Sequence, residues 1–365
     1  MPDTLTLPSP ADFHVHLRAA PQTALLAPHV LAGGMHLAYV MPNLSPPLTL
    51  PQHTVAYLAH LRALAPEIDI RGTLFLSPAL TPQLIREAAQ AGIAGVKSYP
   101  RGVTTGSEGG IESYEVYYDV FEAMQQHGLV LNLHGEVPSD ASKNISVLTA
   151  EATFLRHLVA LHARFPRLRI VLEHATTRAA VECVKALGDT VGCTITPHHL
   201  DLTVDDWAGR PVNFCKPVAK HPDDREALRD VIRSGHPRFF LGSDSAPHPL
   251  AAKLPSAVSH GASALAAHAC AAGIYTSPIL LPLCATLLES FGALEQLAGY
   301  VSTHGRAFYG MPAPQGKDVT LVRRKSTVPM SYVLEQHQHL PQGAPEKCEV
   351  VPFWAGRELE WSLEP

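Results

Sequence analysis

Long apolar runs, paired cysteines and an excess of charge of one sign are all missing from this 365-residue sequence. No stretch approaches the roughly 18 uninterrupted apolar residues of a transmembrane helix, so we expect no membrane span. The N-terminal segment MPDTLTLPSPADF has neither a basic region nor an apolar core, so we expect no secretory signal peptide. The formal net charge is −5 with both signs interspersed, which argues against nucleic acid or an anionic membrane as a partner.

The six cysteines lie far apart, and no two of them have the CxxC spacing of many metal and redox sites. We interpret them as reduced thiols of a cytoplasmic protein. Histidine, in contrast, is abundant, with 21 residues. At that abundance an HxH pair arises readily by chance, and the sequence has two: His14/His16 and His337/His339. We expect the second pair, in a polar and proline-flanked tail, to face solvent.

Short apolar segments alternate with amphipathic stretches, which is the pattern of βα units around a parallel sheet. The predicted strands cover residues 11–17, 36–41, 69–76, 93–99, 129–133, 169–173, 191–196 and 238–243. Amphipathic helices are predicted at 148–161 and 228–232. Eight such strands favour a closed (β/α)8 TIM barrel, with a doubly wound open sheet as the main alternative.

The pattern changes after residue 250. Residues 256–273 are rich in alanine and 279–290 in leucine, and both stretches predict helices. From about residue 315 the sequence carries proline, glycine and short β-like runs. We therefore predict a barrel domain over residues 1–310 and a C-terminal extension, 311–365, packed on it.

Metal-binding and ionisable side chains occur where the predicted strands end, and TIM barrels have their catalytic residues at the C-terminal ends of the strands. His14 and His16 are two residues apart on one strand, so they face the same side and could bind one ion. Two neutral imidazoles and the carboxylate of Asp244 suit zinc. His134 and His174, from adjacent strands, could hold a second ion beside the first. His198 and His199 also follow a strand, and a supporting role and a purely structural one both remain open for them.

Lys97 lies on a predicted barrel strand, and an inward-pointing lysine is costly to bury unless it is paired or modified. Two solutions remain open at this point. Carbamylation by CO2 would turn the ammonium into an anion able to bridge two metal ions. Alternatively, the ammonium would pair with an anionic substrate.

Six motifs of the sequence carry a family resemblance. ADFHVHLR, MPNLSPP, GVKSYP, LHGEV, LEHATT and LGSDSAPH occur in the order and spacing of the amidohydrolase superfamily. From about residue 10 to about residue 310 the sequence resembles, within that superfamily, the shorter, monofunctional type of dihydroorotase, and DDWAGRPVNFCKPVAK is similar to the fungal-like branch. The resemblance implies a two-zinc site. Its implied ligands are His14, His16 and Asp244 for one ion, His134 and His174 for the other, and Lys97 as a bridging N6-carboxylysine.

The resemblance also implies how a substrate is held. Its carboxylate would be bound by Arg18, Asn43 and His248, and its ring amide by backbone groups near Lys216 and Ala272. Thr104 and Thr105 fall in a segment that closes over ligand in this family. Ser98 stands where relatives often carry a larger apolar residue, and residues 101–110 hold four glycines, which leaves the geometry of that segment open.

The implied reaction is the reversible, zinc-dependent cyclisation of N-carbamoyl-L-aspartate to (S)-dihydroorotate and water in pyrimidine (UMP) synthesis. A hydroxide bridging the zinc ions would be the nucleophile, and Asp244 would act as the general acid and base. We also expect a homodimer. A hydantoinase or allantoinase would share the metals and the bridging lysine, but the carboxylate-binding residues distinguish a dihydroorotase from them. A non-catalytic scaffold of the same fold is the other alternative, against which the intact ligand set argues.

Overall fold

A computed structural model of the protein describes residues 3–254, 270–335 and 347–364. Its strands are β1 Thr4–Leu7, β2 Ala11–Val15, β3 Leu37–Val40, β4 Asp69–Phe75, β5 Gly95–Ser98, β6 Val130–His134, β7 Ile170–Glu173, β8 Val191–Ile195, β9 Phe239–Leu241, β10 Val319–Val322, β11 Ser326–Thr327, β12 Tyr332–Glu335, β13 Lys347–Val350, β14 Glu358–Leu359 and β15 Ser362–Leu363. Strands β2 to β9 form one parallel sheet in chain order. Each of them falls at a predicted strand, which confirms the predicted order.

The sheet closes between its first and last strands just beyond the end of β9. The backbone amide of Asp244 donates to the carbonyl of His14 at 2.9 Å, and that of His16 donates to the carbonyl of Ser245 at 3.0 Å. The buried Asp12 carboxylate accepts from the amide of Ser243 at 2.8 Å and from its hydroxyl. These bonds nearly complete a barrel, so the TIM-barrel prediction is confirmed and the open sheet is excluded.

Helices connect the strands and cover the outside of the barrel. They are α1 Thr23–Ala32, α2 Pro51–Leu64, α3 Pro82–Gln90, α4 Tyr118–His127, α5 Ala150–Arg164, α6 Arg178–Ala186, α7 Pro197–Asp201, α8 Val204–Trp207, α9 Pro222–Arg233, α10 Leu250–Lys253, α11 Leu280–Ser290 and α12 His304–Tyr309. The helices predicted at 148–161, 228–232 and 279–290 are confirmed as α5, α9 and α11. Most of the one predicted at 256–273 lies outside the described residues, and 270–273 are not helical.

Aromatic side chains pack together in the barrel, and two of their hydroxyls form hydrogen bonds with Asn132 in the middle of β6. The ring of Phe13 stacks on Tyr309 with centroids 4.8 Å apart and meets Phe240 edge-on at 5.6 Å. The hydroxyls of Tyr39 and Tyr309 both lie within hydrogen-bond distance of Asn132. These buried side chains fill part of the barrel interior, and TIM barrels carry their sites at the C-terminal ends of the strands.

The C-terminal extension packs on both the N-terminus and the barrel. Strand β10 pairs antiparallel with β1 and with β15. Phe353 and Leu359 are buried in a cluster with Leu283 and Leu287 of α11. In the described residues no helix is long and apolar enough to cross a membrane. The HxH pair at 337 and 339 lies outside the described residues.

Candidate active site

One pocket at the C-terminal end of the barrel gathers nearly all the predicted site residues. Its lining comprises His14, His16, Arg18, Asn43, Tyr99, Thr104, Thr105, His134, His174, Lys216, Asp244, Ala246, Ala272 and Gly273. The two remaining predicted residues adjoin it: Lys97 Nζ lies 5.2 Å from the centre of the Tyr99 ring, and His248 Nε2 lies 3.1 Å from Arg18 Nη2. The structure therefore brings the predicted metal-binding and substrate-binding residues to one place.

Three side chains at the seam of the barrel converge as a metal-ligand set. Asp244 Oδ1 lies 3.4 Å from His14 Nε2 and 3.0 Å from His16 Nε2, and all three side chains are buried. Burial would raise the pKa of Asp244, but the hydrogen bond with His16 and the charges around it lower that pKa to about 2. An ionised carboxylate beside two imidazoles is a donor set that a divalent cation fits.

A second histidine pair adjoins the first. The ring centroids of His134 and His174 are 4.7 Å apart, and those of His14 and His174 are 5.1 Å apart. Burial lowers the pKa of each of these imidazoles, so at neutral pH they are uncharged and their lone pairs are available to a metal. Four neutral imidazoles and one carboxylate therefore lie in continuous contact.

Two buried nitrogens of this site lack a partner within the described part of the chain: Lys97 Nζ and His174 Nδ1. Lys97 is 0 % exposed, and burial lowers its pKa to about 8 despite the opposing charges of Glu173 and Asp244. Buried polar groups in native proteins are almost always paired with protein, water or an ion. The unpaired nitrogens thus fit bound groups that the protein itself does not supply, a metal ion at His174 and CO2 at Lys97.

The backbone at the site adopts conformations that residues with a side chain rarely take. Arg18, His174 and Asp244 have φ values of 56°, 42° and 45°. Left-handed φ costs free energy for a residue other than glycine and persists where the surrounding structure enforces it, often at functional sites. At these strand ends it directs three side chains into the pocket.

Hydrogen bonds to side chains outside the predicted set orient the histidines. Glu173 Oε2 lies 2.8 Å from His14 Nδ1, and the same carboxylate accepts from Asn132 and Thr194 at 2.6 Å each. Glu136 Oε2 lies 2.8 Å from His134 Nε2. Such partners fix the tautomer and ring orientation of a metal-binding histidine. Neither glutamate was predicted from the sequence, although Glu173 directly precedes His174 in LEHATT and Glu136 follows His134 by two residues in LHGEV.

Glu173→Gln is expected to lower metal affinity by about 10- to 100-fold, the usual effect of losing such an orienting partner. Every group facing the Glu173 carboxylate is a donor, so the NH2 of a glutamine necessarily opposes one of them. Competition with a chelator measures the affinity. Glu151→Gln is the matched control, because Glu151 is equally buried and, in the described part of the chain, accepts hydrogen bonds from Thr176 and Thr177 and none from a histidine. Equal affinity in the two variants would contradict an orienting role for Glu173.

Asn43 connects a histidine ligand to the segment predicted to close over substrate. Its Oδ1 lies 2.8 Å from His16 Nδ1, and its Nδ2 donates to the carbonyl of Thr105 at 3.0 Å. The Thr105 hydroxyl in turn donates to the carbonyl of Ala272 at 3.4 Å. Residues 104 and 105 therefore lie over the pocket in this structure.

His198 and His199 do not line the pocket. They lie in α7, at the end of β8, and both are buried. His199 Nδ1 is 2.7 Å from Thr196 Oγ1, and Nε2 is 3.0 Å from the carbonyl of Pro217. Ser98, the notable departure from the family pattern, lies 3.4 Å from the hydroxyl of Tyr114.

A barrel with histidines, a lysine and an aspartate converging at its C-terminal end defines an amidohydrolase, and residues 12–179 match the family model described as amidohydrolase. Within that class, this chain belongs to the dihydroorotase family. It is 60 % identical to dihydroorotase from Mycosarcoma maydis, with 98 % of each chain covered, and 42 % identical to that from Saccharomyces cerevisiae, with 96 % of each covered. The crystal structure of the Saccharomyces cerevisiae enzyme in complex with 5-fluoroorotic acid superposes with a TM-score of 0.88 at 40 % identity, covering 99 % of this chain and 98 % of that one. The predicted family is confirmed.

Proposed function

We propose that this chain catalyses the reversible cyclisation of N-carbamoyl-L-aspartate to (S)-dihydroorotate and water, a step of pyrimidine synthesis. The observation that carries the proposal is that one pocket contains both the histidine–aspartate set and the head group of Arg18. The metal-binding residues suit opening and closing of a cyclic amide, and the arginine suits a substrate that bears a carboxylate. Family membership supports the same reaction.

We propose that two zinc ions bind per chain, with Lys97 carboxylated on Nζ as their bridging ligand. His14, His16 and Asp244 would hold one ion, and His134 and His174 the other. The neutral imidazoles and the unpartnered Lys97 Nζ support this set. When bound, zinc lowers the pKa of a water ligand to about 7 and polarises a carbonyl oxygen.

Asp244 is the residue placed to move the proton that the reaction transfers. Its carboxylate is ionised at neutral pH, because its pKa is about 2, and it faces the pocket between His14 and His16. In ring opening it would accept a proton from the water that adds to the ring carbonyl, and return that proton to the amide nitrogen as the ring C–N bond breaks. Ring closure would use the same carboxylate in the opposite sense.

Arg18 is placed to bind the substrate carboxylate. Its Nε donates to the carbonyl of Pro247 at 3.0 Å, which holds the guanidinium in place while its Nη groups face the pocket. Burial and the charge of Arg18 lower the pKa of His248 to about 3, so this imidazole is neutral. His248 Nε2 lies 2.9 Å from the carbonyl oxygen of Ala272. With the single imidazole proton on Nε2, His248 donates to that oxygen, and the same nitrogen then has no lone pair to accept a hydrogen bond from Arg18. The Nη groups thus remain available for a bidentate carboxylate.

Parallel assays with dihydroorotate, hydantoin and allantoin test the proposed function. We expect hydrolysis of dihydroorotate alone, and a large increase in KM for it in Arg18→Met, because the variant keeps much of the side-chain stem and loses the charge. Metal content should stay unchanged in that variant. Hydantoin or allantoin turned over as fast as dihydroorotate would instead assign the chain to the corresponding cyclic amidohydrolases.

Thr104 and Thr105 are proposed to contact the substrate from above. Their replacement together by alanine is expected to lower turnover by about 100-fold, the scale of effects from mispositioned substrate, with metal content intact. Closure of the segment excludes water and strengthens the electrostatic interactions inside the pocket. Steady-state kinetics and metal analysis of the double variant check this, with Ser113→Ala, a half-buried serine that follows the segment and does not line the pocket, as the control. Wild-type turnover in the double variant would show that the two hydroxyls are dispensable.

The homodimer, the cytoplasmic location and the division of the chain at residue 310 stay predictions. Sedimentation of the purified protein tests the first of them directly.

A further inference from the structure

A second group of metal-binding side chains lies beside the proposed catalytic pocket. His198 and His199 are in α7, and Cys215 is on the loop between α8 and α9. All three residues are buried, and one nitrogen of each imidazole and the Cys215 sulfur lie within 4.8 Å of one another. Among the residues described by the structure, these three are not part of the pocket lining, and the reaction proposed above does not use them.

His198 is the anomaly that points to a ligand. It is 0 % exposed, and neither of its ring nitrogens has a hydrogen-bond partner in the described ranges of the chain. Burying an unpaired polar nitrogen costs free energy, and native proteins leave few such groups without protein, water or an ion. Lys97 Nζ and His174 Nδ1 have the same property in the proposed catalytic metal site. His198 is thus a further buried residue with unpaired nitrogens, at a place outside that site.

The other donors come close to the spacing of ligands around one ion. His199 Nε2 lies 3.6 Å from Cys215 Sγ and 3.0 Å from the carbonyl oxygen of Pro217, and Sγ lies 3.2 Å from that oxygen. Tetrahedral zinc, with bonds of about 2.0–2.3 Å, places its ligand atoms roughly 3.3–3.7 Å apart. The distance between the His199 nitrogen and the Cys215 sulfur matches that spacing, and the two contacts with the Pro217 carbonyl are shorter hydrogen bonds that a metal ion would replace. His198 would have to turn toward this triangle, and that movement breaks no hydrogen bond of its side chain.

We propose that His198, His199 and Cys215 bind a transition-metal ion that accepts sulfur and imidazole ligands, of which zinc is the best match, with the Pro217 carbonyl as the fourth ligand. This ion is separate from the catalytic pair and has a structural role. It fastens α7 to the loop that carries Lys216, which lines the substrate pocket.

The charges around the group are mixed: the carboxylate of Asp244 favours a cation, and the ammonium groups of Lys253 and Lys220 oppose one. Burial and the carboxylate of Asp244 raise the pKa of the Cys215 thiol to about 12, so metal binding releases the thiol proton and strengthens as pH rises. Burial and the charge of Lys253 lower the pKa of His198 to about 3, which leaves the imidazole neutral. The Lys253 ammonium itself is held by the carbonyls of Phe214, Ala271 and Gly273.

Cobalt substitution of the full-length holoenzyme distinguishes this site from the catalytic one. No cysteine lines the pocket within the described residues, so a thiolate-to-cobalt charge-transfer band in the near ultraviolet does not come from ions in that pocket, and its loss in Cys215→Ala assigns it to Cys215. We expect the Co(II)-loaded wild-type protein to show that band and to hold one metal equivalent beyond the catalytic ions. Cys215→Ala and His198→Gln are each expected to lose that equivalent, and Cys215→Ala the band with it. Cys284→Ala, a buried cysteine of α11, is the matched control and retains both.

The wild-type measurement is decisive by itself, whether or not the variants fold. A fully loaded protein that shows no thiolate band overturns the proposal, and so does a band that persists in Cys215→Ala. Because the readouts are a spectrum and a metal count, failure of this proposal leaves the proposed reaction untouched. Conversely, if the protein failed to hydrolyse dihydroorotate, the thiolate band would still be expected.

Discussion

Lys97→Ala is expected to abolish measurable turnover and most metal binding. Removing a bridging anion forfeits several kcal/mol of charge stabilisation, which corresponds to on the order of a thousandfold or more in rate. Lys97 is fully buried, and its Nζ has no hydrogen-bond partner among the residues that the structure describes. The substitution therefore removes a costly buried amine, and we expect the metal-free variant to unfold at no lower temperature than the metal-free wild type. Kinetics, metal analysis and thermal unfolding of the two proteins check these expectations together.

Rescue separates carboxylation of Lys97 from a simple ammonium–substrate pair. Short carboxylic acids, at millimolar concentrations or above, should restore part of the activity of Lys97→Ala by standing in for the missing carboxylate. An amine additive should restore none. The lowered pKa of Lys97, about 8, leaves part of the amine neutral at physiological pH, and the neutral amine is the form that reacts with CO2. Activity restored by amines but not by acids would identify Lys97 as a cationic partner of the substrate.

The periodicity of the sequence was sufficient to predict the barrel and which side chains gather at the ends of its strands. Near-continuous apolar segments are typical of parallel strands buried on both faces, and the C-terminal ends of such strands meet at one end of a barrel. This placed His14, His134, His174 and Asp244 together, although up to 230 residues separate them in the sequence. Family resemblance then supplied the roles that position alone does not assign.

Glu173 shows why some of the site could not be predicted in this way. Successive strand residues point to opposite faces, so a regular strand predicts that only one of Glu173 and His174 faces the site. The left-handed φ of His174, 42°, breaks that alternation and lets both side chains reach it. A conformation enforced by tertiary contacts leaves no signal in the hydrophobic pattern.

Strand β1 was missed for a different reason. It is four residues long, and its partner β10 begins more than 300 residues later. A short edge strand derives its stability from that distant pairing, so its own residues carry little of the information that specifies it.

Asp244→Asn is expected to lower kcat by about 10²- to 10⁴-fold, the contribution of a well-placed general acid or base, while KM changes only severalfold. The amide keeps the shape of the side chain and an oxygen near His16, but it cannot accept the proton that Asp244 is proposed to carry. Because Asp244 is also a proposed metal ligand, the assay is made at saturating zinc and metal content is measured alongside. Asp201→Asn is the control, since Asp201 lies outside the pocket and its Oδ2 accepts from the indole of Trp354.

The distribution of the loss between kcat and KM decides what Asp244 does. If Asp244 only holds metal, turnover of the variant should recover once zinc saturates the site. If Asp244 transfers a proton, kcat of the variant stays low even with both ions bound. Substrate binding through Arg18 is then intact, and the chemical step is impaired. Turnover at the wild-type rate in the zinc-saturated variant would require another proton carrier, and His248 would be the next candidate, since its imidazole is neutral and adjoins Arg18.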